Sequence, residues 1–304
     1  MNAVLIIDKP AGLTSHDVVN RVRRILQEKS VGHLGTLDPL ATGVLPLVIG
    51  NLTRLAQFYT SSDKTYEGTI RFGFATDTYD SEGEPTSLAQ PVTLSLEQVR
   101  ELTSRFRGVV EQIPPPFSAK KIQGVPAYKL ARRHAEVVLK PVQVEIKEFE
   151  ISRLENDRAT FRARVASGTY MRSVAHDMGK LMGCGAHLES LRRTAVGEFG
   201  LADAHILEEV DRDFKAGQAE GLFIHPRRIL PQFPCVTATE DMAALIRAGR
   251  PVNLPELSQA KLVKVFTGQR ELIAIATRVA GTLFHAKIVL SGKPVGELAS
   301  TNSA

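Results

Sequence analysis

Gly32-His33-Leu34-Gly35-Thr36-Leu37-Asp38-Pro39-Leu40-Ala41-Thr42-Gly43 sets three glycines, one histidine and one aspartate within twelve residues. The apolar run Val44-Leu45-Pro46-Leu47-Val48-Ile49 follows at once. Glycine allows φ > 0 and lets a ligand approach the backbone closely. A short apolar run bounded by turn residues reads as a buried strand. The pattern predicts a tight loop, hinged on glycines and packed against the core, that carries one carboxylate, Asp38. An Asp before a Pro also initiates turns, and loops on rigid scaffolds carry reactive groups. The stretch by itself leaves both readings open.

Outward from this loop, Val4 to Ile7 reads as a strand ended by Lys9-Pro10-Ala11-Gly12. Ser15 is the expected N-cap of an amphipathic helix running to about Glu28, with Val18, Val19, Val22, Ile25 and Leu26 at helical spacing. A short helix is expected near 52–60, and 65–73 alternates as a strand with Tyr66 on its inward face. Residues 76–92, with Asp77, Asp80, Glu82 and Glu84, miss the EF-hand pattern and are expected to form an exposed acidic loop. Further strands are expected at 142–151 and 159–166, and a helix from Met171. After Pro231-Gln232-Phe233-Pro234, Thr239 and Gly249 bound a short helix, and 261–290 is rich in strands joined by Gly-containing turns. Hairpin-like strand pairs with inserted helices over 1–233, then a small β-barrel over 234–304, predict an α+β protein of two domains.

The chain has 304 residues, ample for a large buried core, with 43% apolar and 23% charged residues and a formal charge of +5. Basic charge is concentrated: Lys120, Lys121, Lys129, Arg132, Arg133 and Lys140 face the single acid Glu136 over residues 120–140. Such a patch suits a phosphate backbone, although a solvated helix face would look the same. Cys184 and Cys235 have neither metal-ligand nor redox spacing. The apolar stretch Ala3–Ile7 is too short for a signal core or a membrane span, so a cytoplasmic location without membrane contact is expected. Nothing in the sequence implies an obligate protein partner, and a monomer is expected.

Phosphate loops, dinucleotide fingerprints, nucleophile elbows and HExxH are all missing from the sequence. No cofactor and no metal are therefore expected, which leaves the chemistry to side chains. A glycosidase would need two carboxylates about 5–10 Å apart, and Asp77 is the only ready partner for Asp38.

The pattern Gly-His-x-Gly-x-Leu-Asp-Pro-x-Ala-x-Gly-x-Leu resembles the catalytic motif of the TruB family, the bacterial tRNA pseudouridine-55 synthases. The likeness extends over most of residues 1–230. Asp38 matches the family's essential aspartate, and Tyr66, in Asp63-Lys64-Thr65-Tyr66, the tyrosine that stacks on the target base. Tyr170 and Arg172, in Ser167-Gly168-Thr169-Tyr170-Met171-Arg172, match a second tyrosine, tied to loss of the C5 proton, and the arginine paired with the aspartate. Leu191, in Leu191-Arg192-Arg193-Thr194-Ala195-Val196-Gly197, matches an apolar pocket residue. His33 matches the histidine that helps hold the RNA loop flipped out, and Lys9 with Pro10 a motif that supports the active-site loop.

Pro114-Pro115-Pro116-Phe117-Ser118-Ala119-Lys120-Lys121-Ile122-Gln123-Gly124 and Tyr128-Lys129-Leu130-Ala131-Arg132 resemble the start of an insertion, about 120–145, that clamps the T-stem loop of tRNA. The tail resembles, more loosely, a PUA-type RNA-binding barrel. Leu34, Thr36 and Tyr79 depart from the family pattern, and none removes a group the chemistry needs. The resemblance implies an α+β pseudouridine synthase fold with a mixed, largely antiparallel central sheet flanked by helices, and a cofactor-free, base-flipping isomerase acting on uridine in the T-loop of tRNA. The competing expectation is a non-catalytic RNA-binding or tRNA-folding protein that uses the same basic surface.

Overall fold

The computed structural model describes residues 1–118, 120–122, 124–127, 130 and 139–290. Within the basic segment, Lys129, Arg132, Arg133 and Glu136 lie outside the described residues, as do Tyr128 and the tail from 291 to 304.

In chain order the strands are β1 (Ala3–Lys9), β2 (Val31–His33), β3 (Thr42–Ile49), β4 (Lys64–Phe72), β5 (Gly108–Gln112), β6 (Lys121–Ile122), β7 (Val125–Pro126), β8 (Val142–Glu155), β9 (Arg158–Val165), β10 (Ala186–Val196), β11 (Phe199–Gly200) and β12 (Ala204–His205). A second group comprises β13 (Cys235–Thr237), β14 (Val252–Asn253), β15 (Leu262–Thr267), β16 (Glu271–Ala280) and β17 (Leu283–Val289). Among the described residues the α-helices are α1 (Ser15–Leu26), α2 (Leu96–Thr103), α3 (Met171–Leu181), α4 (Leu207–Lys215) and α5 (Glu240–Arg247). None of the described helices is long and apolar enough to cross a membrane.

The main sheet runs β12-β1-β3-β10-β4-β9-β8-β5, with β2 beside β3 and β11 beside β10. Only the β1–β12 and β3–β10 pairs are parallel, so the sheet is mixed and largely antiparallel, as expected. Alternation sorts the central strands between two cores. Leu5 and Ile7 of β1 and Leu45, Leu47 and Ile49 of β3 pack with α1, α3 and α4 residues such as Val18, Val22, Val174, Met178 and Val210. Val4, Ile6, Val44 and Val48 face the other way and share one apolar cluster with Phe266, Leu272, Ile275 and Ile288. The latter belong to the second sheet, ordered β13-β15-β16-β17-β14, so the two sheets have a common core. With this sheet the fold is α+β with a PUA-like C-terminal part.

Three local expectations need correction. Thr14, not Ser15, caps α1: its hydroxyl accepts from Asp17 N (3.0 Å) while Asp17 accepts from Thr14 N (2.9 Å), a reciprocal box that frees Ser15 for other work. The helix near 52–60 is a 3-10 segment, Gly50–Phe58. The acidic stretch is only partly exposed, because Thr76 and Asp80 are buried within it.

Candidate active site

Asp38 sits on the loop between β2 and β3, and the loop is held from behind by side chains that reach its backbone. Lys9, at the end of β1, is fully buried and donates from Nζ to the carbonyls of Pro10 (2.9 Å), Leu13 (2.6 Å) and Pro39 (3.2 Å). Burial pushes its pKa down to about 8, opposed chiefly by the negative charge of Asp38. Ser15 Oγ both donates to Leu37 O (3.1 Å) and accepts from Leu37 N (2.8 Å). Arg193, on β10, reaches the loop's carbonyls as well. At Gly43, where φ is +98°, a Cβ would lie 2.2 Å from the carbonyl oxygen of Arg193. No side chain fits there, so glycine is what lets β3 leave the loop pressed against β10.

The opposite wall is the N-terminus of α3. Gln112, buried at the end of β5, accepts from Tyr170 N (2.8 Å) and donates to Tyr170 O (3.1 Å), and Ser173 Oγ donates to Ile113 O (2.7 Å). This fixes the turn that presents Tyr170 and Arg172. Arg172 is 6% exposed at its side chain and Asp38 39%. Arg172 Nε lies 2.9 Å from Asp38 Oδ2, a contact of opposite charges whose N–H is not aligned for a directed hydrogen bond. Its Nη1 donates to Thr78 O (3.1 Å) and its Nη2 to Phe117 O (3.0 Å). Asp80 Oδ2 stands 3.6 Å from Nη1, with its side chain 5% exposed.

Tyr170 is half-buried, and burial raises its pKa; the Ser118 hydroxyl and the Arg172 guanidinium pull the other way. Tyr66 is 8% exposed on β4, opposite Arg193 and Ala163 in register. Gly43, Arg193 and Tyr66 therefore lie in one row across the sheet. Leu191, two residues before Arg193, is half-buried opposite Gly68. His33 accepts from Gly35 N through Nδ1 (3.3 Å), and its pKa is lowered by burial, then by the charges of Arg193 and His16.

The structure thus brings Asp38, Arg172, Tyr170 and Lys9 together around one loop, with His33 at the head of that loop. Tyr66 and Leu191 join them through strand register rather than through a polar contact. Asp77, the partner considered for a glycosidase, is exposed and accepts from Glu84 N (2.8 Å) within its own loop. The second carboxylate at Arg172 is Asp80, which sequence reasoning passed over as one acid among several. Gln112, Ser15 and Arg193 were also not singled out for the site, since each acts on backbone far away in sequence.

The chain matches the model of the TruB family pseudouridylate synthase N-terminal domain over residues 23–171, and that of the tRNA pseudouridylate synthase B C-terminal domain over 172–228. It is 49% identical to a tRNA pseudouridine synthase B of Solibacter usitatus, over 95% of this chain and all of that protein. It is 41% identical to one of Geobacter sulfurreducens, over 92% and 95% of the two chains. Among solved structures, one of a Cbf5-Nop10-Gar1 complex superposes with a TM-score of 0.70 at 23% identity, covering 95% of this chain and 85% of that one, a likeness of fold. The archaeal box H/ACA sRNP Nop10-Cbf5 complex gives 0.68 at 23% identity, over 96% and 87%. With a pinned, glycine-hinged aspartate facing a buried arginine, and with these matches over nearly its whole length, the chain belongs to the TruB family of pseudouridylate synthases and is an isomerase.

Proposed function

We propose that this isomerase converts uridine-55 in the T-loop of tRNA to pseudouridine, with Asp38 as the reacting carboxylate. The observation that carries the assignment is the pairing of a 39% exposed Asp38 with a 6% exposed Arg172 at 2.9 Å. Such a guanidinium holds the carboxylate by charge while leaving it open to a substrate. The relatives' name, tRNA pseudouridine synthase B, supports tRNA as the substrate. The reaction breaks the bond from N1 to C1′, forms one from C5 to C1′, and moves a proton from C5 to N1, with no net oxidation or hydrolysis.

The remaining roles follow from position. A base inside a folded RNA must leave its stack to be reached, and an aromatic face compensates the loss by about 1–3 kcal/mol. Tyr66 supplies that face, and Leu191 the apolar wall next to it. Tyr170, whose pKa is raised, enters as a neutral phenol and relays the C5 proton rather than storing a charge. His33, kept neutral, contacts the flipped-out RNA loop, and Lys9 holds the Asp38 loop from below. Residues 1–233 form the catalytic domain and 234–304 the PUA-like domain, and the segment 120–145 clamps the T-stem. The protein works as a monomer in the cytoplasm.

The test is tritium release from a tRNA transcript bearing 5-³H-uridine, with the parent and Asp38→Asn. Release by the parent and none by the variant establishes both reaction and residue. A variant within about tenfold of the parent refutes the role of Asp38, since losing such a group costs on the order of 10⁴ or more. Release by neither, with tight tRNA binding by both, would instead favour an RNA-binding protein without catalysis.

A further inference from the structure

Arg193 is 1% exposed, and among the described residues no carboxylate is bonded to it. Its three hydrogen bonds all go to the backbone of the Asp38 loop and the strand that follows it. Nε donates to Val44 O (2.8 Å), Nη1 to Thr36 O (3.2 Å) and Nη2 to Gly35 O (3.0 Å). Gly35 and Thr36 precede Asp38 and Val44 follows it, so one planar group staples both arms of the loop.

A buried cation without a counter-ion costs several kcal/mol unless its protons are well accepted. This one also has cationic company. Lys9 and Lys64 are buried close by, and Lys64 finds Ser62 O at 2.6 Å. The positive charge of Arg193 bears on Lys9, Lys64 and His33 alike. An apolar residue would satisfy the sheet at lower cost, so the charge and the fork need a purpose beyond packing. The neighbouring Arg192 shows what an ordinary arginine does here: it is 41% exposed and pairs with Asp8 at 2.6 Å.

We propose that Arg193 is a positioning residue for the reaction: its guanidinium staples Gly35, Thr36 and Val44 so that Asp38 is held against Arg172 in its reactive placement. This rests on the reading of Asp38 given above. A rigid fork spans three carbonyls in different directions, whereas an ammonium on a flexible stem keeps the charge but not the span. Misplacing a reacting group by about 1 Å costs on the order of 100-fold in rate.

The experiment measures single-turnover tritium release, tRNA affinity and thermal unfolding for the parent, Asp38→Asn, Arg193→Lys and Arg193→Ala. Arg193→Lys is expected to bind tRNA within about threefold of the parent while its rate at saturating tRNA falls about 100-fold, a loss in kcat rather than KM. Millimolar guanidinium is expected to raise the rate of Arg193→Ala and not of the parent, and methylammonium to do neither. A rate for Arg193→Lys within about threefold of the parent overturns the proposal. So does a loss that only tracks the unfolded fraction, because that is a packing role. Should Arg193→Ala not fold, the Arg193→Lys comparison decides alone. An inactive parent would refute the functional reading itself, whereas an active parent with an active Arg193→Lys refutes only this inference.

Discussion

Asp38 and Asp80 approach the same guanidinium from loops that use their carboxylates differently. The Asp38 loop is fixed by side chains from elsewhere, Lys9, Ser15 and Arg193, which take its backbone carbonyls and leave its carboxylate free. The Asp80 loop is tied to β10 through Leu188, and its carboxylate is taken up within the loop. Thr76 Oγ1 donates to Asp80 O (2.7 Å), and Thr78 Oγ1 and Glu82 N donate to Asp80 Oδ1 (2.6 and 3.1 Å). Tyr79 there takes a left-handed φ of +66°, unusual for a bulky residue, and its ring stacks on His176 at 3.8 Å and 13°. One loop keeps its carboxylate exposed, as the proposed role of Asp38 requires. The other spends its carboxylate on itself and contributes only charge.

The sharpest way to break this contrast is to neutralise each acid in turn. Asp38→Asn is expected to lose at least about 10⁴-fold in tritium release with tRNA binding kept. Arg172→Met removes the shared partner and leaves Asp80 buried with its charge unpaired, which should destabilise the fold by about 3–5 kcal/mol in urea titrations. A stability close to that of the parent would mean Asp80 needs no counter-charge. Asp80→Asn preserves shape and most local hydrogen bonds, so its rate should fall by only about 10–100-fold, the effect of one displaced donor group. A loss as deep as that of Asp38→Asn would place both acids in the chemistry.

Smaller effects sharpen the picture of the Asp80 loop. Tyr79→Gly relieves about 1–2 kcal/mol of left-handed strain but forfeits about 0.5–1.5 kcal/mol of stacking and the burial of a half-buried ring, so the melting temperature should fall only modestly. A large drop would show that the stack dominates. His176 has its pKa lowered by burial and by Lys180. As pH falls below the ordinary value of 6.5, the unfolded chain takes up a proton there before the folded one does. Stability is thus lost with falling pH in that window, and His176→Gln should flatten part of the loss in Tm between pH 7 and pH 5.5.

The sequence made the Asp38 loop legible because everything it needs is local: glycines, one acid, and an apolar strand directly after. The flanking strands were legible too, through alternation, and α3 through its spacing. The site's support was not. Arg192 and Arg193 are adjacent and chemically identical, and only packing against a loop about 150 positions away tells the exposed one from the buried one. Asp80 lay in a run of acids that reads as solvated, until Arg172 arrives from 92 residues on. Ser15 and Thr14 compete for one cap, and the choice turns on Leu37, whose backbone takes up Ser15.

The common core of the two sheets has a consequence for the molecule as a thermodynamic unit. Val44 and Val48 of β3 share one apolar cluster with Phe266, Ile275 and Ile288. The strand that follows the Asp38 loop therefore shares its core with the C-terminal sheet. Cutting the chain at 233 would not yield a smaller enzyme but an open apolar face, and a face of that kind seeks other surfaces. The C-terminal sheet and the strand behind Asp38 are therefore expected to melt in one transition, which calorimetry checks.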